Sequence, residues 1–193
     1  MDETTSGLDS IAAILRRRSI RQYQDRPVEP EKLDLLLQAA MAAPSACSSR
    51  PWEFIIVTEP ILLERIHDKF VFARYNAPAA IAVLANLGIA NNSAAKRYWI
   101  QDCSAAIENM LIAAPGLSLG TVWIGIHPWP SMEQAVRAIL DIPEEVIPLG
   151  LVYAGYPGEE KAPRTNYDSY RVHWQRYEPR KRRAKRKNAK YDS

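Results

Sequence analysis

Seven successive apolar residues, Ala79 to Ala85 (AAIAVLA), constrain this chain more than any other feature. The run falls far short of the roughly 18 residues that span a bilayer, and it lacks the polar alternation of a strand with one face in water. It reads as a strand buried on both faces, which needs covering layers above and below it. The flanking sequence offers them. Leu8, Ile11, Ala12, Ile14 and Leu15 recur at helical spacing and predict a first helix over about 9–17, with Asp9 or Ser10 as its cap. Pro30 stands at a first helical position, and Leu33, Leu36, Leu37 and Ala40 form the stripe of a second helix that ends at Pro44. Further strands are expected over 53–58, 120–126 and 148–156, and helices from Pro60 to Phe70, over about 93–114 and over 131–140. The long helix carries Trp99, Cys103, Ala106 and Met110 on one side. Strands alternating with helices suggest an α/β arrangement, but two helices at the start depart from a simple doubly wound fold.

At 193 residues one hydrophobic core is the default, since a domain of about 150 residues already buries roughly two-thirds of its unfolded surface. An apolar share of 47% with 24% charged residues excludes disorder and collagen. The net charge of +3 conceals an asymmetry. Residues 179–193 hold eight cations, Arg180, Lys181, Arg182, Arg183, Lys185, Arg186, Lys187 and Lys190, against Asp192 alone; the remainder holds 17 cations against 21 carboxylates. Residues 1–178 therefore read as one mildly acidic domain and 179–193 as a basic, disordered tail. Such a tail suits nucleic acid or another anionic surface, gripped without sequence preference, or serves solubility alone. Cys47 and Cys103 are too few for a disulfide framework and lack the spacing of a zinc site. The acidic, polar N-terminus does not resemble a secretory leader, so a reducing, cytoplasmic setting away from membranes is expected.

No GxSxG, HExxH, Walker loop or GxGxxG after a strand is present. His67, His127 and His173 are isolated and read as surface residues, and no spacing suits a metal. No side chain is assigned as a catalytic acid, base or nucleophile. Two stretches remain. Arg16-Arg17-Arg18-Ser19-Ile20-Arg21 places four arginines and a hydroxyl at the end of the first helix. Basic residues there complement the helix dipole, but so many also suit a phosphate ester, which paired guanidinium donors grip. The loop Pro44–Trp52 (PSACSSRPW) has small side chains that admit a flat ligand, and its N–H groups could bond ring heteroatoms. Its plainer reading is a proline-bounded turn.

Together with Gly120-Thr121-Val122-Trp123-Ile124-Gly125, these stretches resemble the nitroreductase family of FMN-dependent oxidoreductases, in that family's order and spacing. Arg17-Arg18-Ser19-Ile20-Arg21, then Tyr23 and Pro30, is similar to the family's opening, and Ala43-Pro44-Ser45 with Pro51-Trp52 to its flavin loop. Asp102 through Asn109 is similar to its long central helix, and Leu119 through Gly125 to the strand that follows. The likeness continues through Ile142-Pro143-Glu144, Pro148-Leu149 and Gly155-Tyr156-Pro157 to Arg164, covering about residues 8–175. Ser48 and Arg50 stand where the family's loop has Asn and Gln.

The resemblance implies an α+β fold of three layers, α/β/α, around a central mixed sheet. It implies a homodimer with two FMN sites at the interface and C-terminal segments that wrap the partner. Tyr167, Tyr170, Val172, Trp174 and Tyr177, in a segment of little regular pattern, fit such a wrap or cover their own domain. Arg17, Ser19 and Arg164, with Arg18 beside them, would hold the FMN phosphate. Arg21 would lie by the pyrimidine edge, where a cation favours the anionic hydroquinone. Pro44, Ser45, Ala46, Ser48 and Arg50 would border the ring, with backbone groups of Trp123, Ile124 and Gly125 at its other edge. Arg74 and Trp99, with Tyr75 and Trp129, would shape an acceptor pocket or pack an interface. The activity implied is reduction of nitroaromatic, quinone or related small acceptors by NAD(P)H through ping-pong hydride transfer, the flavin carrying the chemistry. Dehalogenating or flavin-fragmenting chemistry is the family's alternative, and binding through the tail is a reading from another class.

Overall fold

In the structure, a computed structural model that describes residues 3–179, the apolar run becomes an inner strand of a four-stranded sheet. In chain order the elements are α1 (Glu3–Arg16), α2 (Pro30–Met41), β1 (Trp52–Val57), α3 (Pro60–Lys69), β2 (Ala79–Asn86), α4 (Ala95–Ala113), β3 (Gly120–Gly125), α5 (Pro130–Leu140) and β4 (Val146–Gly155). Three helices start on proline, whose fixed φ suits the first turn and whose missing N–H is not needed there. The sheet order is β1-β2-β4-β3 with every neighbouring pair antiparallel. A parallel contact, between Ser19 and Thr121, is an isolated bridge outside the named strands.

The two helical layers divide β2 residue by residue, as the alternation of a strand dictates. Ala79, Ile81, Val83 and Ala85 face α2 and α4, where Leu33, Leu36, Cys103, Ala106 and Met110 meet them. Ala80, Ala82 and Leu84 face α3 and α5, against Leu63, Ile66, Val136 and Ile139. Both faces are dry, and each fully buried Val, Leu or Ile stabilises the fold by roughly 1.5–3 kcal/mol. This is the expected three-layer α+β architecture.

Some boundaries differ from expectation. α1 begins at Glu3, so Asp9 and Ser10 lie inside the helix rather than at its cap. α2 stops at Met41, because Pro44 disfavours helical backbone in the residue before it. β4 starts at Val146 and so includes Pro148, which an inner strand tolerates only where the ladder slips. The slip is present: Val83 pairs with Gly150 but Leu84 with Pro148, leaving Leu149 as a bulge. Its carbonyl accepts from the N–H groups of Ile126 and His127, at 3.0 and 3.1 Å, and ties down the end of β3.

The chain divides into two units, Met1–Pro163 and Arg164–Ser193. The described part of the second contains a 3-10 turn, Ser169–Arg171, where the Asp168 carboxylate accepts the Tyr170 N–H at 3.0 Å. Tyr167, Tyr170, Trp174 and Tyr177 are exposed. Of the expected basic tail, residues 180–193 lie outside the described residues.

Candidate functional site

β3 is a terminal strand, and its outer edge is the most distinctive surface of the first unit. Ser19 and Ile20 run beside its start, where the Ile20 N–H donates to Thr121 O at 2.9 Å. Thr121 therefore turns its backbone groups outward, and by the alternation of the ladder so do Trp123 and Gly125. Ile124, expected to offer a backbone group, instead pairs with Leu151, points its carbonyl at β4 and buries its side chain. On the α4 face the same edge is open. A Cβ on Gly125 would meet nothing within 4 Å, whereas one on its cross-strand partner Gly150 would stand 2.4 Å from Trp123 Nε1. Glycine at 150 thus lets the indole lie against the strand, giving a platform of aromatic ring and bare backbone.

The arginine segment lies at the other end of this edge, about 14 Å from Gly125 along the strand. Arg17 Nε is 3.5 Å from Glu108 Oε1 of α4, and Arg18 donates to Ala162 O. Lys161, which the sequence reading passed over, donates to Ser19 O at 2.8 Å and pairs with Glu159 at 2.9 Å. Glu159 also accepts the Arg21 N–H at 2.6 Å. Burial alone would push that carboxyl up, but the Lys161 ammonium and the N–H groups of Arg21 and Gln22 hold it below its ordinary value. Arg16, Arg18, Thr121, Glu159 and Lys161 line a cavity of about 280 Å³ here.

The Pro44–Trp52 loop is ordered in a way its sequence does not announce. It turns through Ala46–Ser48 and holds three non-glycine residues in the left-handed region, Cys47 (φ 51°), Ser48 (φ 55°) and Arg50 (φ 49°). Buried Asp102 of α4 accepts from the Ala46 N–H at 2.9 Å and from the Ser49 hydroxyl at 2.8 Å. The amides of Asn91 and Asn92 donate to Ser48 O and Cys47 O, each at 2.8 Å. The N–H groups of Ser48, Ser49 and Arg50 bond to Ser45 O, Ala46 O and Ser45 Oγ. The expectation that the loop's N–H groups bind ring heteroatoms is corrected at these four residues, whose N–H groups hold the loop itself. Pro44, Ser48 and Arg50 are exposed, and Ser45 and Ala46 half-buried.

Loop and arginines do not meet within one chain. Trp52 pairs with Ala85 near one end of β2, whereas Thr121 is level, through Ala154, with Ala79 at the other. Six residues of strand, about 20 Å, separate them lengthways, and three strand spacings, about 14 Å, across. They occupy opposite corners of the sheet. Arg74 and Trp99 are not brought together either. Arg74 pairs with Asp68 at 2.8 Å and lines a cavity of about 660 Å³ on the α3 face, while Trp99 is buried in the α2–α4 layer. Arg164 belongs to the second unit and is exposed.

Two histidines correct the expectation of surface residues. His127 is half-buried, with Nδ1 2.8 Å from Glu133 Oε1 and its ring 4.7 Å from that of Trp99. His67 packs edge-on against Tyr153 at 5.5 Å, and burial pushes its pKa down. Its Nε2 and the Tyr153 hydroxyl are buried without a partner among the described residues. Sequence reasoning also gave no role to Asp102, Ser49, Asn91 or Asn92. Asp102 carried a usable signal, since it stands in the apolar stripe of α4 beside Trp99, Cys103 and Ala106. Among the described residues no cluster of three or more His, Cys, Asp or Glu could hold a metal, and no helix is long and apolar enough to cross a membrane.

Comparison with known proteins agrees with this architecture. The family model described as "Nitroreductase family" matches residues 14–73 and 67–156. A provisionally named NADH dehydrogenase/NAD(P)H nitroreductase of Methanothermobacter thermautotrophicus is 39% identical over 179 residues, 92% of each chain. The solved structure of a protein provisionally given the same name, from Parabacteroides distasonis, superposes with a TM-score of 0.80 at 37% identity, covering 87% of this chain and 98% of that one. An FMN-dependent nitroreductase of Clostridium difficile superposes with a TM-score of 0.76 at 31% identity, covering 86% and 99%.

Proposed function

Because the chain belongs to the nitroreductase family, we propose that it is an FMN-dependent oxidoreductase that takes electrons from NAD(P)H and passes them to nitroaromatic, quinone or related small acceptors. The observation that carries this reading is the free edge of β3. A flat platform at Trp123, Gly125 and Gly150 stands at one end, and Ser19 with the cations Arg17 and Lys161 at the other, about 14 Å away. A ligand with a planar ring at one end and a phosphate at the other matches both features.

Bound there, FMN would supply two-electron hydride chemistry, drawn from NAD(P)H and delivered to the acceptor in alternate turns. The residues of the chain bind, orient and exclude water. Arg17, Arg18 and Ser19, with Arg164, meet the phosphate through charge-assisted hydrogen bonds. The outward backbone groups of Trp123 and Gly125 orient the ring, and the Trp123 indole keeps water from its rim. Arg21 supplies a cation for the charge that reduction leaves on the pyrimidine edge. The loop carrying Ser45, Ala46, Ser48 and Arg50 borders the ring from a second protomer, because opposite corners of one sheet reach a single ligand only when two chains contribute. The working form is accordingly a homodimer.

The test is apoprotein titration. The protein should purify yellow, with FMN identified by mass. Arg17→Ala combined with Arg164→Ala should raise the FMN Kd by about 100-fold or more, since each charge-assisted bond contributes about 1.5–3 kcal/mol. Unchanged affinity in that variant, or FAD in place of FMN, refutes the assignment.

A further inference from the structure

Beside the tip of the Pro44–Trp52 loop lies another cavity, of about 620 Å³, with a lining of one charge. Lys96 and Arg97 line it with Cys47, Asn92 and Tyr98, and no carboxylate does. Several cations of the first unit are paired, Arg17 with Glu108, Arg74 with Asp68, Arg137 with Glu133 and Lys161 with Glu159. Lys96 and Arg97 are exposed and have no ion-pair partner among the described residues. The cavity is also held in shape before any ligand arrives. The Asn92 carboxamide donates to Cys47 O at 2.8 Å and accepts the Ala94 N–H at 2.9 Å, clamping the loop tip to the start of α4. Tyr98, 48% exposed, presents a ring at the rim.

We propose that this cavity receives the 2′-phosphorylated ribose of the electron donor, so that the protein uses NADPH in preference to NADH. Lys96 and Arg97 take the phosphate dianion by charge-assisted hydrogen bonds, and the Tyr98 ring gives the adenine an aromatic face. The identity of the ligand rests on the function proposed above, in which this loop borders the flavin ring that the donor must reach. The anion-binding character of the cavity does not depend on it.

Cys47 serves as a built-in reporter. It is exposed, whereas Cys103 is buried and its thiol is pushed up to about 12 by that burial, so alkylation reads Cys47. Iodoacetamide labelling of the protein as purified is followed in the presence of adenosine 2′,5′-bisphosphate or 5′-AMP. The bisphosphate should slow labelling at a concentration about tenfold or more below that of 5′-AMP. Lys96→Gln with Arg97→Gln should lose this protection, and Lys96→Arg should keep it. In steady-state assays the double variant should show a KM for NADPH raised about tenfold, with that for NADH nearly constant. Equal protection by the two nucleotides, or equal changes in both KM values, overturns the inference. A protein without FMN and without NAD(P)H oxidation is instead a failure of the flavin reading, and the labelling comparison then decides the cavity alone.

Discussion

Asp102→Ala should release the Pro44–Trp52 loop without unfolding the domain. The carboxylate accepts from the Ala46 N–H at 2.9 Å and the Ser49 hydroxyl at 2.8 Å, with Asp102 only 4% and Ser49 0% exposed. Hydrogen bonds to an ionised acceptor contribute about 1.5–3 kcal/mol each, or about 3–6 kcal/mol for the two. Against them stands the strain of Cys47, Ser48 and Arg50, since left-handed backbone costs a non-glycine residue roughly 1–2 kcal/mol. The remaining bonds, from Asn91, Asn92 and the N–H groups of Ser48, Ser49 and Arg50, are neutral and contribute about 1 kcal/mol each. Together they do no more than match that strain, so the loop opens far more readily while the sheet stays closed. The assay is amide hydrogen exchange. A loss of about 3 kcal/mol accelerates exchange at Ser48 and Ser49 about 100-fold, while Ile81 and Val83 in β2 keep the protection that reports global unfolding. Asp102→Asn, which retains one acceptor oxygen, should fall between, and FMN retention should follow the same order. A folded Asp102→Ala protein whose loop amides exchange at the wild-type rate would refute the anchoring argument.

Gly150→Ala should cost about 1–3 kcal/mol in urea denaturation, because its Cβ collides with the Trp123 indole. Gly125→Ala meets nothing and should leave stability within about 0.5 kcal/mol while weakening FMN binding; equal effects of the two would contradict the platform. Folding stability should rise with pH up to about 6.5 and level off above, because burial lowers the pKa of folded His67 below its unfolded value and protonation then opposes folding. Denaturation midpoints of wild type and His67→Phe check this, and a slope that survives the substitution speaks against it. Arg50→Gln should lower the two-electron midpoint potential by about 30 mV, the equivalent of about 1.4 kcal/mol of differential stabilisation. A redox titration that finds no shift places Arg50 beyond the ring's reach.

Features that depend on near neighbours were legible in the sequence. Pro30, Pro60 and the stripe of α4 mark helices because their causes lie within a turn or two. The AAIAVLA run marked a strand covered on both faces because seven apolar side chains cannot sit otherwise. The conformation of the Pro44–Trp52 loop was not legible, since Asp102 and Asn91 act on it from more than 40 residues away. Left-handed backbone without glycine leaves no local signature, and Cys47, Ser48 and Arg50 adopt it only because those distant groups hold them. The site suffered likewise: Arg17 to Arg21 stood out by charge density, but Lys161 meets Ser19 through a long-range contact. Conversely, Arg74 and Trp99, expected to shape an acceptor pocket or pack an interface, are sent by the chain to different layers of the fold.

The separation of loop and arginines onto opposite corners of the sheet has a genetic corollary for a homodimer. An allele damaged in the loop and an allele damaged in the arginine segment are each inactive when expressed alone. Mixed subunits distribute the lesions unevenly, one pocket inheriting both and the other neither. Random pairing makes half of the dimers mixed, so two defective alleles of this kind complement one another to about a quarter of the activity of the parent, whereas two alleles damaged at the same corner never do.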